Sequence, residues 1–338
     1  MKLSVNLVTW NGAKYMPFLF DSLRKQTFTD WTLIVLDNNS DDNTLELIKK
    51  ELDTFSVQHK IIENSENRGF ACGHNQLFKE TESDYVLLLN QDMYLAPDCL
   101  DKIVTFLEKH SEISSVSPRL MKWNFAANIF TDQIDALGLK VYRSRRVVEQ
   151  YTGQNWFDLK NKFSSVTFPV FGISGALPVF RMSALKSVVY ADGSVFDESY
   201  HSYKEDVDLA FRLAAAGYKS CVLLDAVAYH DRSAASPKQD DDLHALANKK
   251  NQSKLVKYYS YKNHLATLCK NEYWQNLALD FPWILWYELK KFAYFLLFDR
   301  GVLGGLKELF GQDLAKKRRL IKSLRKINWQ EMRQWWTL

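Results

Sequence analysis

The feature that most constrains this chain is a set of apolar runs that end abruptly in polar residues. In "YVLLLNQD", residues 85–92, Val86 to Leu89 are apolar without a break, and Asn90, Gln91 and Asp92 follow at once. A strand with one wet face would alternate, so this segment is expected inside a parallel sheet covered on both sides. "LSVNLVTWN" and "WTLIVLDNNS" have the same character. Helix-like segments lie between them: "YMPFLFDSLRKQ", "DNTLELIKKEL" and "ACGHNQLFKE". With "QHKIIEN" as a short third strand, the rhythm is that of βαβ units. It predicts an α/β fold with a mostly parallel central sheet.

Open α/β sheets bind ligands beyond the carboxyl ends of their strands. Three such ends supply Thr9, Trp10 and Asn11; Asp37, Asn38 and Ser40; and Asn90 and Asp92. No GxGxxG follows the first strand and no GxxxxGK[ST] occurs. A Rossmann dehydrogenase and a P-loop NTPase are therefore disfavoured, and a nucleotide site built from side chains and strand ends remains. Asp37 suits the N3–H that uracil or thymine presents between two carbonyls. The plainer reading of residues 37–40 is a turn opening the next helix.

Asp92 and His230 each follow a strand, the latter closing "CVLLDAVAYH". Together they are candidate ligands of one Mg²⁺ or Mn²⁺; taken singly they are an N-cap aspartate and a strand-end histidine. In "NRGFACGHN", Gly69 and Gly73 either admit a ligand close to the backbone or make a turn, with Arg68 and Asn75 as polar contacts. "KEDVDLAFR" opens a helix with Glu205, Asp206 and Asp208 in its first turn, where carboxylates suit the helix dipole. Arg212 lies four residues beyond Asp208, the spacing of a structural ion pair.

Charge is divided unevenly. From residue 249 onward there are 18 Lys/Arg against 7 Asp/Glu, whereas the preceding part is acidic. Six of the ten tryptophans also follow residue 270. "PWILWYELKKFAYFLLF" is apolar but broken by charges, and "LKELFGQDLAKKRRLIKSLRKI" reads as a basic amphipathic helix. This tail is expected either on an anionic membrane surface or in helical packing or dimerisation. An acidic body without an RNA-binding module disfavours nucleic acid. The four cysteines form no CxxC pair, which argues against a zinc ribbon or disulfide scaffold. No signal peptide opens the chain and no apolar run reaches the ~18 residues of a membrane span, so a cytoplasmic protein is expected. The expected organisation is a catalytic domain at 1–235, a loop or hinge at 236–252 and a helical region at 253–338. The first of these divides into a nucleotide half, 1–117, and an acceptor half, 118–235.

In chain order these blocks resemble the inverting nucleotide-sugar glycosyltransferases of family 2, with a GT-A fold, of the rhamnosyltransferase-like kind. The resemblance runs over about residues 3–271. It rests on "VNLVTWNGAKYMPFLFDSLRKQTFTDWTLIVLDNNSDDNT", "NRGFACGHNQ", "LLLNQD", "GISGALPVFRMSAL", "FDESYHSYKEDVDLAFRLAAAGYKS" and "VAYHDRS". Asn90 and Gln91 stand where many relatives carry acids or proline, leaving Asp92 the one acid of that triplet. The resemblance implies a UDP- or dTDP-sugar donor, with rhamnose favoured. It also implies a glycan or lipid-linked glycan acceptor, and the basic, aromatic tail adds the expectation of a peripheral place on the inner face of the cell membrane. It marks Asp206 as general base, Asp92 and His230 as metal ligands, and Gly175, Ala176 and Glu205 as lining the sugar side. The alternative is a non-catalytic GT-A scaffold that binds nucleotide sugar or glycan at the membrane.

Overall fold

The computed structural model describes residues 1–232, 252–311 and 313–337. The segment expected as a loop or hinge at 236–252 lies, except for Gln252, outside the described residues. Strands β1 (Leu3–Thr9), β2 (Trp31–Asp37), β3 (His59–Glu63) and β4 (Tyr85–Asn90) pair in parallel in the order β4-β1-β2-β3. They are joined through α1 (Met16–Arg24), α2 (Thr44–Leu52) and α3 (Gly69–Lys79). β1 is covered on both faces. Leu3, Val5 and Leu7 enter the main core, while the buried Ser4 and Asn6 satisfy each other and Thr81 at 2.8 and 3.0 Å. Because the strands are in register, Thr9 faces Asp37 and Val8 faces Asn90, so three polar strand ends meet at one edge.

The chain continues through β5 (Met93–Leu95), α4 (Cys99–Lys109), β6 (Ile113–Asn124), β7 (Ile129–Ala136), β8 (Leu139–Tyr142) and β9 (Val147–Glu149). Then come β10 (Thr167–Val170), β11 (Val179–Arg181), α5 (Glu205–Ala215) and β12 (Lys219–His230). The large sheet runs β10-β12-β6-β11-β4-β1-β2-β3, with β5 on β12 and β7 on β6. The parallel character expected from the sequence holds from β4 to β3 and between β6 and β12. Between these blocks the three-residue β11 lies antiparallel to both β4 and β6. A strand so short carries no crossover of its own, and its direction is invisible in a pattern reading.

The C-terminal part is α6 (Lys254–Asn271), α7 (Trp274–Phe298), α8 (Leu314–Leu324), α9 (Trp329–Arg333) and β13 (Trp336–Thr337). β13 pairs with β8, which ties Trp336 and Thr337 to the body. The continuous basic helix expected over 306–327 is not formed. One-turn pieces occupy 305–311, and Asp313 adopts φ 50° before α8 begins. Nor are the basic side chains of α8 all turned outward. Lys317 binds Asp197 at 2.6 Å, and the Arg318 and Arg325 guanidiniums donate to carbonyls at the end of α6. Cations suit a helix C-terminus, where carbonyls are left without internal partners.

Candidate active site

Asp37 anchors the first wall of the strand-end cleft. Its carboxylate accepts from Thr9 Oγ1 at 3.1 Å, Ser40 Oγ at 2.6 Å and the Ser40 N–H at 3.0 Å. Asn11, at φ 49°, donates its N–H to Ser40 Oγ and accepts from the Asp41 N–H. Gln91 pairs both ends of its amide with the Trp10 backbone at 3.0 Å, which fixes this half-exposed indole at the rim. Asn90 closes β4 half-buried beside them.

Two expected ligand contacts are turned to other work. Asn38 is buried, and all four hydrogen-bonding positions of its amide are used, by Asn64, Asn67, the Arg68 N–H and the Gly69 carbonyl. Asn75 is likewise buried; it accepts from the Val195 and Phe196 N–H groups and donates to the Phe196 carbonyl and Glu198. Both are clamps that hold loops. Arg68 keeps its side chain exposed. Gly69 has φ +80°, and a Cβ there would stand 2.6 Å from the His201 carbonyl, so only glycine lets α3 meet the 201 loop.

Asp92 and His230 come together across β5 and β12, with Asp92 Oδ2 3.3 Å from His230 Nε2. Asp135 of β7 accepts from His230 Nδ1 at 2.9 Å, which aims Nε2 at Asp92. A carboxylate behind a histidine in this way is the usual support of a metal-binding imidazole. Burial alone would lower the His230 pKa, but Asp92 and Asp135 outweigh it and raise it to about 10. Asp135 is held down to about 2; burial opposes this, and Arg232 and His230 prevail. Among the described residues no group of three or more His, Cys, Asp or Glu side chains is placed to hold a metal. Two protein ligands nonetheless fit a hard cation that takes its other ligands from water and phosphate oxygens.

The polar chain continues. Arg232 bridges Asp135 at 2.9 Å and Glu149 at 2.6 Å, and Glu149 accepts from Ser174 Oγ at 2.7 Å. The neighbouring Gly175 N–H then donates to Asp206 Oδ2 at 3.1 Å, and the Val207 N–H to Oδ1 at 2.7 Å. Ala176, next to Gly175, is buried in the main core. Asp206 is partly exposed, with its pKa raised by burial and partly restored by Lys204 and the two N–H groups. Glu205 beside it is buried, and Oε2 has no hydrogen-bond partner among the described residues. Burial, reinforced by Asp206, pushes its pKa up to about 8.

Asp208 points away from the cleft. It accepts from Tyr190, Arg212, Asn271 and Lys270, the structural use expected from its spacing to Arg212. The loop that delivers Asp206 is conformationally costly, since His201, Tyr203 and Lys204 all have positive φ. Asn263 of α6 holds it by donating to the Tyr200, Ser202 and Tyr203 carbonyls at 2.9, 3.0 and 2.7 Å.

Sequence reasoning did not find Asp135, Glu149 or Arg232. One signal existed: Asp135 stands among Ile134, Ala136 and Leu137, and a carboxylate in an apolar strand must have a partner. Its partners are His230 at the end of β12 and Arg232 just beyond it, which no local pattern connects to β7.

The polar residues gathered at the carboxyl edge of the parallel βαβ sheet, Asp37 at the end of β2 and Asp92 just beyond β4 among them, lie where open α/β sheets bind ligands. Comparison with known proteins makes this specific. Residues 4–188 match the profile described as Glycosyl transferase family 2, more than half of the chain, and the protein belongs to that family. It is 24% identical over 235 residues to the O-antigen chain rhamnosyltransferase RfbN of Salmonella typhimurium, covering 69% of this chain and 67% of RfbN. It is 30% identical over 112 residues to the poly(ribitol-phosphate) beta-N-acetylglucosaminyltransferase TarS of Staphylococcus aureus, 32% of this chain and 19% of TarS. The match to EpsE of Bacillus subtilis spans 43% of that protein's length. Among solved structures, GalNAc-T7 with UDP, GalNAc and Mn²⁺ superposes with a TM-score of 0.59 at 13% identity, covering 79% of this chain and 47% of that one. The mannosyltransferase PcManGT of Pyrobaculum calidifontis, with GDP-Man and Mn²⁺, gives 0.54 at 16% identity, covering 96% and 84%. The fold is GT-A.

Proposed function

We propose that this protein is an inverting glycosyltransferase that moves a sugar from a UDP- or dTDP-sugar to a hydroxyl of a glycan, itself lipid-linked. The observation that carries the reading is the continuous polar chain from Asp92 and His230 through Asp135, Arg232, Glu149 and Ser174 to the Gly175–Asp206 contact. It links the Asp92–His230 pair to a carboxylate of raised basicity.

Each part then has a role. Asp37, set by Thr9 and Ser40, takes the base N3–H, and Asn11 lies next to it at the mouth. Asp92 and His230 are the residues that would hold Mg²⁺ or Mn²⁺, which supplies positive charge to the departing diphosphate. Asp206 takes the proton of the attacking hydroxyl. Burial and Asp206 push the Glu205 pKa up to about 8, which favours its neutral form beside that base. The acceptor enters over Gly175 and the loop before α5. The relative with the broadest coverage among those named is a rhamnosyltransferase, which favours rhamnose as the sugar. A lipid-linked acceptor implies work at a membrane surface. The test is Asp206→Asn, which keeps shape and removes basicity. It should retain donor binding and lose on the order of 10²–10⁴ in turnover. Unchanged turnover would remove Asp206 from the chemistry.

A further inference from the structure

Helix α7 is inside out. The side chains it turns toward the body are largely polar or charged: Asn276, Asp280, Glu288 and Lys291, with Ile284 and Phe295. Asp280 is fully buried and binds Arg143, Arg145 and Arg333; Asn276 donates to the Trp329 carbonyl; Glu288 binds His264 at 2.6 Å. What faces outward is apolar. Trp274, Leu279, Phe281, Trp286, Leu297 and Phe298 are each at least half exposed, and further Leu, Trp and Phe residues lie between them. An amphipathic helix on a globular protein ordinarily does the reverse. An apolar surface this long and continuous marks a contact with something outside the chain.

The charges identify the partner. Both carboxylates of α7 point inward, at 0% and 18% exposure. Cations stand on the outer side: Lys290 lies 5.8 Å from the Trp286 ring, and the exposed Arg300 caps the Leu296 carbonyl. A second copy docked across a two-fold axis would set like cations against one another. An anionic lipid surface would attract them and accept the tryptophans at headgroup depth. No helix among the described residues is long and apolar enough to cross a membrane. We propose that the outer face of α7 lies in the plane of an anionic bilayer and seats the enzyme on it. This rests on the lipid-linked acceptor proposed above, and names the element that reaches the lipid.

The test uses the full chain with vesicles of phosphatidylcholine, with and without phosphatidylglycerol. Flotation at low salt should recover the protein with the anionic vesicles, and brominated lipid should quench tryptophan emission. The triple variant Trp286→Ser, Leu289→Ser, Leu297→Ser touches no active-site residue and should partition roughly 100-fold more weakly. Quenching in the unaltered chain does not depend on the variant folding. Failure of the intact chain to float, or absence of quenching, overturns the proposal. So does a dimer in sedimentation that the triple variant dissociates while vesicle binding is unchanged. Donor hydrolysis in lipid-free solution reads the transferase activity separately, so loss of one result leaves the other standing.

Discussion

At the residue scale the pair Glu205 and Asp206 carries the sharpest consequences. Glu205 has its pKa raised from the ordinary range to about 8, first by burial and then by Asp206. A carboxyl protonated more readily in the folded state stabilises that state at low pH. The contribution is full below the unfolded value, about 4.3, and is lost as pH rises through about 8. Glu205→Gln mimics the protonated form and escapes this loss. Its melting temperature relative to the parent should therefore climb across that window and level off above it. A constant difference would mean that Glu205 is not protonated in the fold. The cation pair gives a second test: Asp92→Ala and His230→Ala should each weaken Mn²⁺ binding and turnover, and excess chelator should abolish activity. Full turnover in chelator would remove the metal from the account. The meeting of polar strand ends was legible in the residues themselves. Thr9, Asp37, Ser40 and Asp92 could be placed because parallel strands in register must end together. That the Asn38 and Asn75 amides are hydrogen-bonded within the protein could not be read, because an asparagine that satisfies backbone and one that faces solvent look alike in a sequence.

At the scale of elements, α6 is what makes the Asp206 loop affordable. Its Lys270 is fully buried between Asp197 and Asp208 at 2.6 and 3.0 Å and also reaches Tyr190. Among the described residues, Lys270→Met would leave Arg212 as the one cation on Asp208 and Lys317 of α8 as the one on Asp197. Removing one partner from a buried ionic cluster costs about 3–5 kcal/mol. We expect that loss in urea unfolding, with turnover falling as the loop loosens. A cost below about 1 kcal/mol would show the cluster to be dispensable. This role could not be read from the sequence. α6 carries its function in polar residues 60 or more positions away from their partners, and periodicity records only apolar faces.

At the scale of the whole molecule, the basic tail seen in composition divides into two parts with different tasks. α8 and the chain end brace the body, through Lys317, Arg318, Arg325 and the β13–β8 pairing. α7 turns its apolar side out and its carboxylates in. The charge count could not separate these, because a lysine that braces a helix end and one on an outward face add the same charge. The central claim is that the cleft is a catalyst and not only a sugar-nucleotide receptor, and one measurement tests it most directly. Nucleoside diphosphate release is followed with Mn²⁺ for a panel of UDP- and dTDP-sugars, with the parent and with Asp206→Asn, alongside donor binding by calorimetry. The account predicts saturable release from at least one donor by the parent, and equal binding but roughly 10²–10⁴-fold slower release by the variant. Donor binding by both proteins with equal release rates, or with no release by the parent from any donor in the presence of glycan acceptors, would contradict it.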